Sequence, residues 1–163
     1  MVGSYYREDL LERVMQAPDT SLERWRRSTG QGSTADISIA AQARTVRINP
    51  KYRGKLKGKT VVVFDDFTTE GKSIEWARIL LSKAGTAQVI TLTVGKYGSR
   101  HTNYGIRPIT SNDPGIAIDP YTVSNLSATD FVSAVFSGTY GPGPQDSLTT
   151  TMAHFAAATR NTD

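Results

Sequence analysis

Two adjacent carboxylates followed by a hydroxyl-rich turn are the part of this chain best equipped for chemistry. Asp65 and Asp66 are followed, after Phe67, by Thr68-Thr69-Glu70-Gly71-Lys72-Ser73. Ahead of them Val61–Phe64 is a continuous β-branched and aromatic run, the pattern of a strand buried on both faces, and the acids stand where that strand should end. Behind them a helix should begin near Ser73, because Ile74, Ala77, Leu80, Leu81 and Ala84 recur at helical spacing and Gly85 supplies a stop. Val89–Val94 reads as the next strand. The unit is strand, turn, helix, strand, and residues 60–94 hold all of it. A turn that opens onto a helix N-terminus binds phosphate, because unpaired backbone N–H groups and the helix dipole both point at it.

The same residues resemble the phosphoribosyl diphosphate (PRPP) motif of type I phosphoribosyltransferases, whose pattern is Asp-Asp-x-x-Thr-Thr-Gly-x-Thr. Asp65 through Ser73 align with it without a gap, and the competence-protein F type is the most similar flavour. The resemblance implies an α/β fold with a mainly parallel, Rossmann-like sheet flanked by helices. It also implies that Asp65 and Asp66 are the catalytic-site acids and accept hydrogen bonds from the ribose hydroxyls. Thr68, Thr69, Glu70, Gly71, Lys72 and Ser73 would then hold the 5-phosphate. That division is chemically sound: a carboxylate accepts from neutral hydroxyls, whereas a phosphate dianion takes donors only. Mg²⁺ would arrive with PRPP, with no direct protein ligand assigned, and an acceptor nitrogen would displace diphosphate. The ligand is then PRPP or a nucleoside monophosphate, and the assembly a homodimer or part of something larger. Glu70 departs from the pattern by replacing a Thr, with Lys72 placed to compensate its charge.

Gly71-Lys72-Ser73 also matches the end of a P-loop. That motif needs Gly at position 66, where Asp66 stands, and two acids at the mouth of a triphosphate cradle would repel the ligand. From Arg44 to Lys59 the chain carries seven cations (Arg44, Arg47, Lys51, Arg53, Lys55, Lys57 and Lys59) and no acid. The resemblance makes residues 44–59 a basic loop closing over diphosphate, with Arg44, Arg47, Lys51 and Arg53 as candidates to neutralise it. The residues by themselves also fit an exposed hairpin and, behind both of these, a nucleic-acid contact with Tyr52 as the interleaved aromatic. After the second strand, at the carboxyl end where open α/β sheets build their sites, the resemblance makes Lys96 or Tyr97 a candidate to meet the acceptor, and an ordinary turn fits the same residues equally. A non-catalytic module on the same fold that senses a nucleotide or binds nucleic acid or a partner protein is the alternative from another class.

The remaining elements must position this unit. The 163 residues suit a single domain, and the net charge of +4 suits anionic ligands. There is no Cys, which excludes disulfides and thiol catalysis, and no apolar run long enough to span a membrane, so a cytoplasmic protein is expected. Residues 1–30 read as a helical segment: Tyr5–Gln16 as an amphipathic helix, Ala17-Pro18-Asp19 as its end, and a second helix capped by Thr20 and Glu23. Ser28–Thr34 is polar loop. Arg26 to Gln31, with Arg44, Arg47 and Asn49, bears a weak resemblance to an Arg-Thr-x-x-Gln and Arg-x-x-Asn pair of the competence type. Ile37–Ile39 is the sole candidate for a strand ahead of the unit, and no diphosphate loop follows it, so the chain reads as a shortened or partial member. Gly95–Gly105 reads as a loop, Ile106–Thr110 and Gly115–Asp119 as short strands about a turn at Asn112–Gly115, and Ala128–Phe136 as a short helix. Gly138–Pro144 is a loop, Ser147–Ala158 a last helix and Thr159–Asp163 a frayed tail. His101 and His154 are too far apart in sequence to suggest a shared site.

Overall fold

A computed structural model describes residues 5–16, 20–32, 35–96, 100–107 and 116–137. Helices and strands are mixed. The elements in chain order are β1 (Leu11–Arg13), α1 (Thr20–Ser28), α2 (Ile39–Thr45), β2 (Val46–Ile48), β3 (Thr60–Thr68), α3 (Lys72–Lys83), β4 (Gln88–Lys96), β5 (Arg100–Ile106) and β6 (Phe131–Ser137), with 3-10 turns at Pro50–Tyr52 and Ala128–Asp130. The strands form three pairs, β1–β2 and β5–β6 antiparallel and β3–β4 parallel. A mainly parallel sheet is therefore not what the described residues form, although the β3–α3–β4 unit is parallel as expected. No helix among the described residues is long and apolar enough to cross a membrane.

Helix α3 is the centre of the core. Ile74, Glu75, Trp76, Ala77, Ile79, Leu80 and Leu81 are all buried, so apolar contact surrounds most of its circumference. Around it pack Ile39 and Ala43 of α2, Ile48 of β2, Leu56, Tyr121 and Leu126, with Val61, Val63 and Val89 reaching it from the parallel pair. Trp76 is fully buried, donates its indole N–H to the Val46 carbonyl at 3.0 Å and meets Phe131 edge-on at 6.1 Å between ring centroids. Indole burial of this kind requires a partner for the N–H, and the β2 backbone provides it.

Strand β5 is attached to α3 through side chains. Glu75 accepts the Tyr104 N–H at 2.9 Å and forms an ion pair with Arg78 at 2.8 Å, while Arg78 donates to the Tyr104 carbonyl. The pair thus serves both backbone groups of one strand residue. Segment 119–126 is fixed through the backbone: the Ile48 N–H donates to Pro120 O at 2.8 Å and the Ser124 N–H to Ala43 O at 2.9 Å.

Several elements differ from the sequence reading for identifiable reasons. Residues 5–16 contain no helix. Leu11–Arg13 pairs with β2 instead, and Val14 and Met15, apparent members of a helical stripe, are 40% and 50% exposed. Ile39 starts α2 rather than ending a strand, because Ser38 caps the helix by accepting the Ala41 N–H at 3.3 Å. Residues 44–59 are not one loop: Arg44 lies on α2, Arg47 on β2 and Lys51 in a 3-10 turn. The 128–136 stretch is a single 3-10 turn leading into β6, since Phe131 onward pairs with β5. Strands β4 and β5 occupy both ends of the expected 95–105 loop, and residues 116–119 have no regular structure. Strand β3 is apolar on both faces at 61–64 but only half-buried on one, at Val61 and Val63, and exposed on the other, where Val62 is 40% and Phe64 68% exposed. Helices α1 and α3 and the strand–turn–helix–strand order of residues 60–94 are as expected. The expected features at 17–19, 108–115, 138–144, 147–158 and 159–163 lie outside the described residues.

The Glu75–Arg78 pair is asymmetric, the Glu75 side chain being 4% exposed and that of Arg78 36%. Removing the exposed member leaves a buried charge behind. Arg78→Ala should therefore lower the unfolding free energy by about 3 kcal/mol, and Glu75→Gln, which keeps an acceptor for Tyr104, by only about 1 kcal/mol. Urea titrations of the two variants measure the difference.

Candidate functional site

The acid pair and the turn occupy one end of the parallel pair. Strand β3 does not stop at the acids but continues through Thr68, so Asp65 and Asp66 lie within it and the turn is confined to Thr69–Gly71. The cause is the ladder: Asp65 faces Thr93, Phe67 faces Gly95 and Thr68 faces Lys96, which keeps the backbone extended. Strand alternation directs the two acids' Cβ atoms to opposite faces. Their carboxyl groups nonetheless interact. Burial pushes the Asp65 carboxyl above the ordinary value of 3.8, and the neighbouring Asp66 charge and carboxyl raise it further, against the Asp66 N–H it accepts at 3.1 Å.

Beyond Thr68 the chain reverses on Gly71, which has φ +80° and is buried. Only glycine adopts that conformation without strain, so this position admits no side chain cheaply. The first helical hydrogen bond of α3 runs from Glu75 N to Gly71 O at 2.8 Å. The amides of Lys72, Ser73 and Ile74 therefore precede the ladder, and Gly71 has no side chain to cap them. Lys72 pairs with Glu70 at 2.6 Å, which offsets that acid's charge beside the helix end. Thr68 is 8% exposed, whereas Ser73 at the mouth of the helix is exposed.

Lys96 belongs to this cluster. Its ammonium donates to the Thr69 carbonyl at 2.9 Å, brought there because parallel register sets it beside Thr68. It is a strut of the turn as much as a group facing outward. Thr93 was not singled out from the sequence, yet it shares a face with Asp65. Counting both strands back from their common carboxyl end would have found it. Tyr97 lies outside the described residues.

The four diphosphate candidates lie elsewhere and hold acids. Arg44 pairs with Asp36, Arg47 with Glu12 at 2.7 Å, Lys51 with Asp9, and Arg53 with Asp119 at 2.9 Å. Arg44 also donates to Leu126 O, and Arg53 stacks over Tyr121 at 4.3 Å. Among the described hydrogen bonds and ion pairs none of them reaches residues 65–73. These pairs fasten the outer segments to the core. Hydrogen bonds from Ser38 and from Arg53 hold the Asp36 and Asp119 carboxyls, respectively, below their ordinary value. No group of three or more metal-ligating side chains occurs among the described residues.

Comparison of the chain with protein-family models, with curated proteins and with solved structures finds no match in any of the three.

Asp65 makes a direct test of whether this end of β3 is shaped for something other than stability. Its raised value means that the folded state holds the proton more tightly than the unfolded chain. The associated stability is complete below 3.8 and is lost as pH rises through the higher folded value. Asp65→Asn should therefore raise the melting temperature at neutral pH, with the gain over wild type closing as the pH falls below the ordinary carboxylate range. Thermal melts across pH measure it.

Proposed function

We propose that the chain is a phosphoribosyltransferase-like domain that binds PRPP at the 65–73 turn. The observation that carries the reading is the placement of two interacting carboxylates directly upstream of a left-handed glycine turn whose following helix presents three amides ahead of its ladder. Acceptors and donors sit next to each other, in the order that a pentose bearing a 5-phosphate requires. The burial and crowding that raise Asp65 also support it, since a carboxylate kept where it is electrostatically unfavourable is a mark of functional sites. The finer fold assignment, a type I phosphoribosyltransferase sheet, belongs to this same proposal.

In this reading Asp65 and Asp66 accept from the ribose hydroxyls and orient the anomeric carbon. The amides of Lys72 and Ser73, with the hydroxyls of Thr69 and Ser73, hold the 5-phosphate, and the α3 dipole favours its charge. Lys72, released from Glu70, can turn to the phosphate, and Lys96 keeps the Thr69 carbonyl fixed meanwhile. Mg²⁺ fits as a metal carried by the ligand: two carboxylates are present to take its water or the hydroxyls beside it, and it would neutralise the departing diphosphate. Little proton transfer is asked of the protein, whose contribution is positioning.

A second reading, a pocket that binds the sugar phosphate without transferring it, is favoured by one observation. All four cations that the resemblance would use on diphosphate are already engaged by acids. The experiments separate the two readings. Calorimetry with PRPP and Mg²⁺ should show saturable binding, weakened about tenfold or more by Asp66→Asn. Diphosphate release with a panel of nitrogenous bases then identifies an enzyme, and binding without release identifies a sensor. Absence of any binding by the full chain removes both.

A further inference from the structure

The basic stretch at 44–59 divides into two parts with different surroundings. Arg44, Arg47, Lys51 and Arg53 each face an acid, whereas Lys55, Lys57 and Lys59 are exposed and form no ion pair among the described residues. The fold adds a fourth cation to the second part. Gly58 donates to Gly85 O at 2.8 Å, Ala87 donates to Lys59 O at 2.9 Å, and the Lys57 side chain lies 3.6 Å from where a Gly85 Cβ would be. These contacts set the 54–60 turn beside the last turn of α3, where Lys83 is also exposed. Neither 54–60 nor 82–88 contains an Asp or Glu.

The turn that carries these lysines is fixed. Leu56 enters the core at 7% exposure, Gly54 and Gly58 reverse the chain at φ +74° and +71°, and Lys59 N bonds Leu56 O at 3.0 Å. With Leu56 turned inward, its lysine neighbours face outward on a rigid frame, which lowers the ordering cost of binding. Complementing the carbonyl end of α3 accounts for Lys83. It leaves Lys55 and Lys59 unaccounted for.

We propose that Lys55, Lys57, Lys59 and Lys83 form a contact surface for the phosphodiester backbone of a nucleic acid. Closely set cations without acids repel one another, and a polyanion that bridges them relieves the repulsion while releasing its own counterions. A lipid surface fits less well, because no exposed large apolar side chain lies within 54–60 or 82–88 to enter it. Lysines on a turn hold phosphates without reading bases, so binding is sequence-independent. The surface lies at the start of β3 and the end of α3, a helix length of about 18 Å from the acid turn, and does not depend on what that turn binds.

The test is fluorescence anisotropy of labelled mixed-sequence oligonucleotides, duplex and single-stranded, titrated with the full chain over a range of salt and without PRPP. Four phosphate contacts predict a log–log slope of about −3.6 on duplex. The quadruple variant K55Q/K57Q/K59Q/K83Q should lose tenfold or more in affinity and most of the slope while still melting cooperatively, the loss of Lys83 from the helix end costing under about 1 kcal/mol. R7Q/R107Q, cations on other segments, should keep the slope. Should the quadruple variant not fold, K57Q/K83Q is expected to halve the slope. The proposal is overturned by no binding at low salt, by a slope that survives the lysine substitutions, or by lysine-dependent binding to anionic vesicles without binding to nucleic acid.

Discussion

Burial of α3 around Trp76 and Glu75 is the constraint on which the other features depend. The Trp76 indole is fastened to β2 and stacked edge-on against β6, and the Glu75 carboxylate is fastened to β5. Neither contact is available if the helix rotates or slides, so its position is set to within a fraction of a turn. The start of the helix is set with it. Gly71 and the amides after it are held at the end of β3 because the residues one turn further on are locked in the core.

Charge is distributed along the β3–α3 unit in a way that follows from this arrangement. At the N-terminal end of the helix lie two interacting carboxylates and three amides that precede the helical ladder. At the other end four lysines stand with no acid in either adjoining segment. Between the two, the cations of α2, β2 and the following turn are used internally, tying β1 and the 119–126 segment to the core. One continuous run of positive charge in the sequence thus meets two different surroundings in three dimensions.

The parallel unit was legible because its signals are local and mutually consistent. Val61–Phe64, the spacing of Ile74 to Leu81, and Gly85, which has φ +84° in the structure, each specify one element, and each element holds. Readings failed where pairing decided the outcome. Leu10, Leu11, Val14 and Met15 have helical spacing, yet the β2 backbone takes Leu11 into a ladder and leaves Val14 and Met15 exposed. Phe131–Phe136 suits helix or strand until β5 supplies the edge. The 65–73 site was legible as a string of residue types. The extension of β3 through Thr68 and the approach of Lys96 to Thr69 depend on inter-strand register, which no local pattern carries. The acid partners of the 44–53 cations likewise come from distant segments, at Asp9, Glu12, Asp36 and Asp119.

Amide chemical-shift mapping with ribose 5-phosphate tests the central claim most directly, because it reads the turn without requiring turnover or diphosphate. The account predicts saturable shifts confined to Asp65, Asp66 and the amides from Thr68 to Ile74. Shifts that do not saturate, or that fall on Lys55–Lys59 and Lys83 while the 65–74 amides stay unmoved, would contradict it.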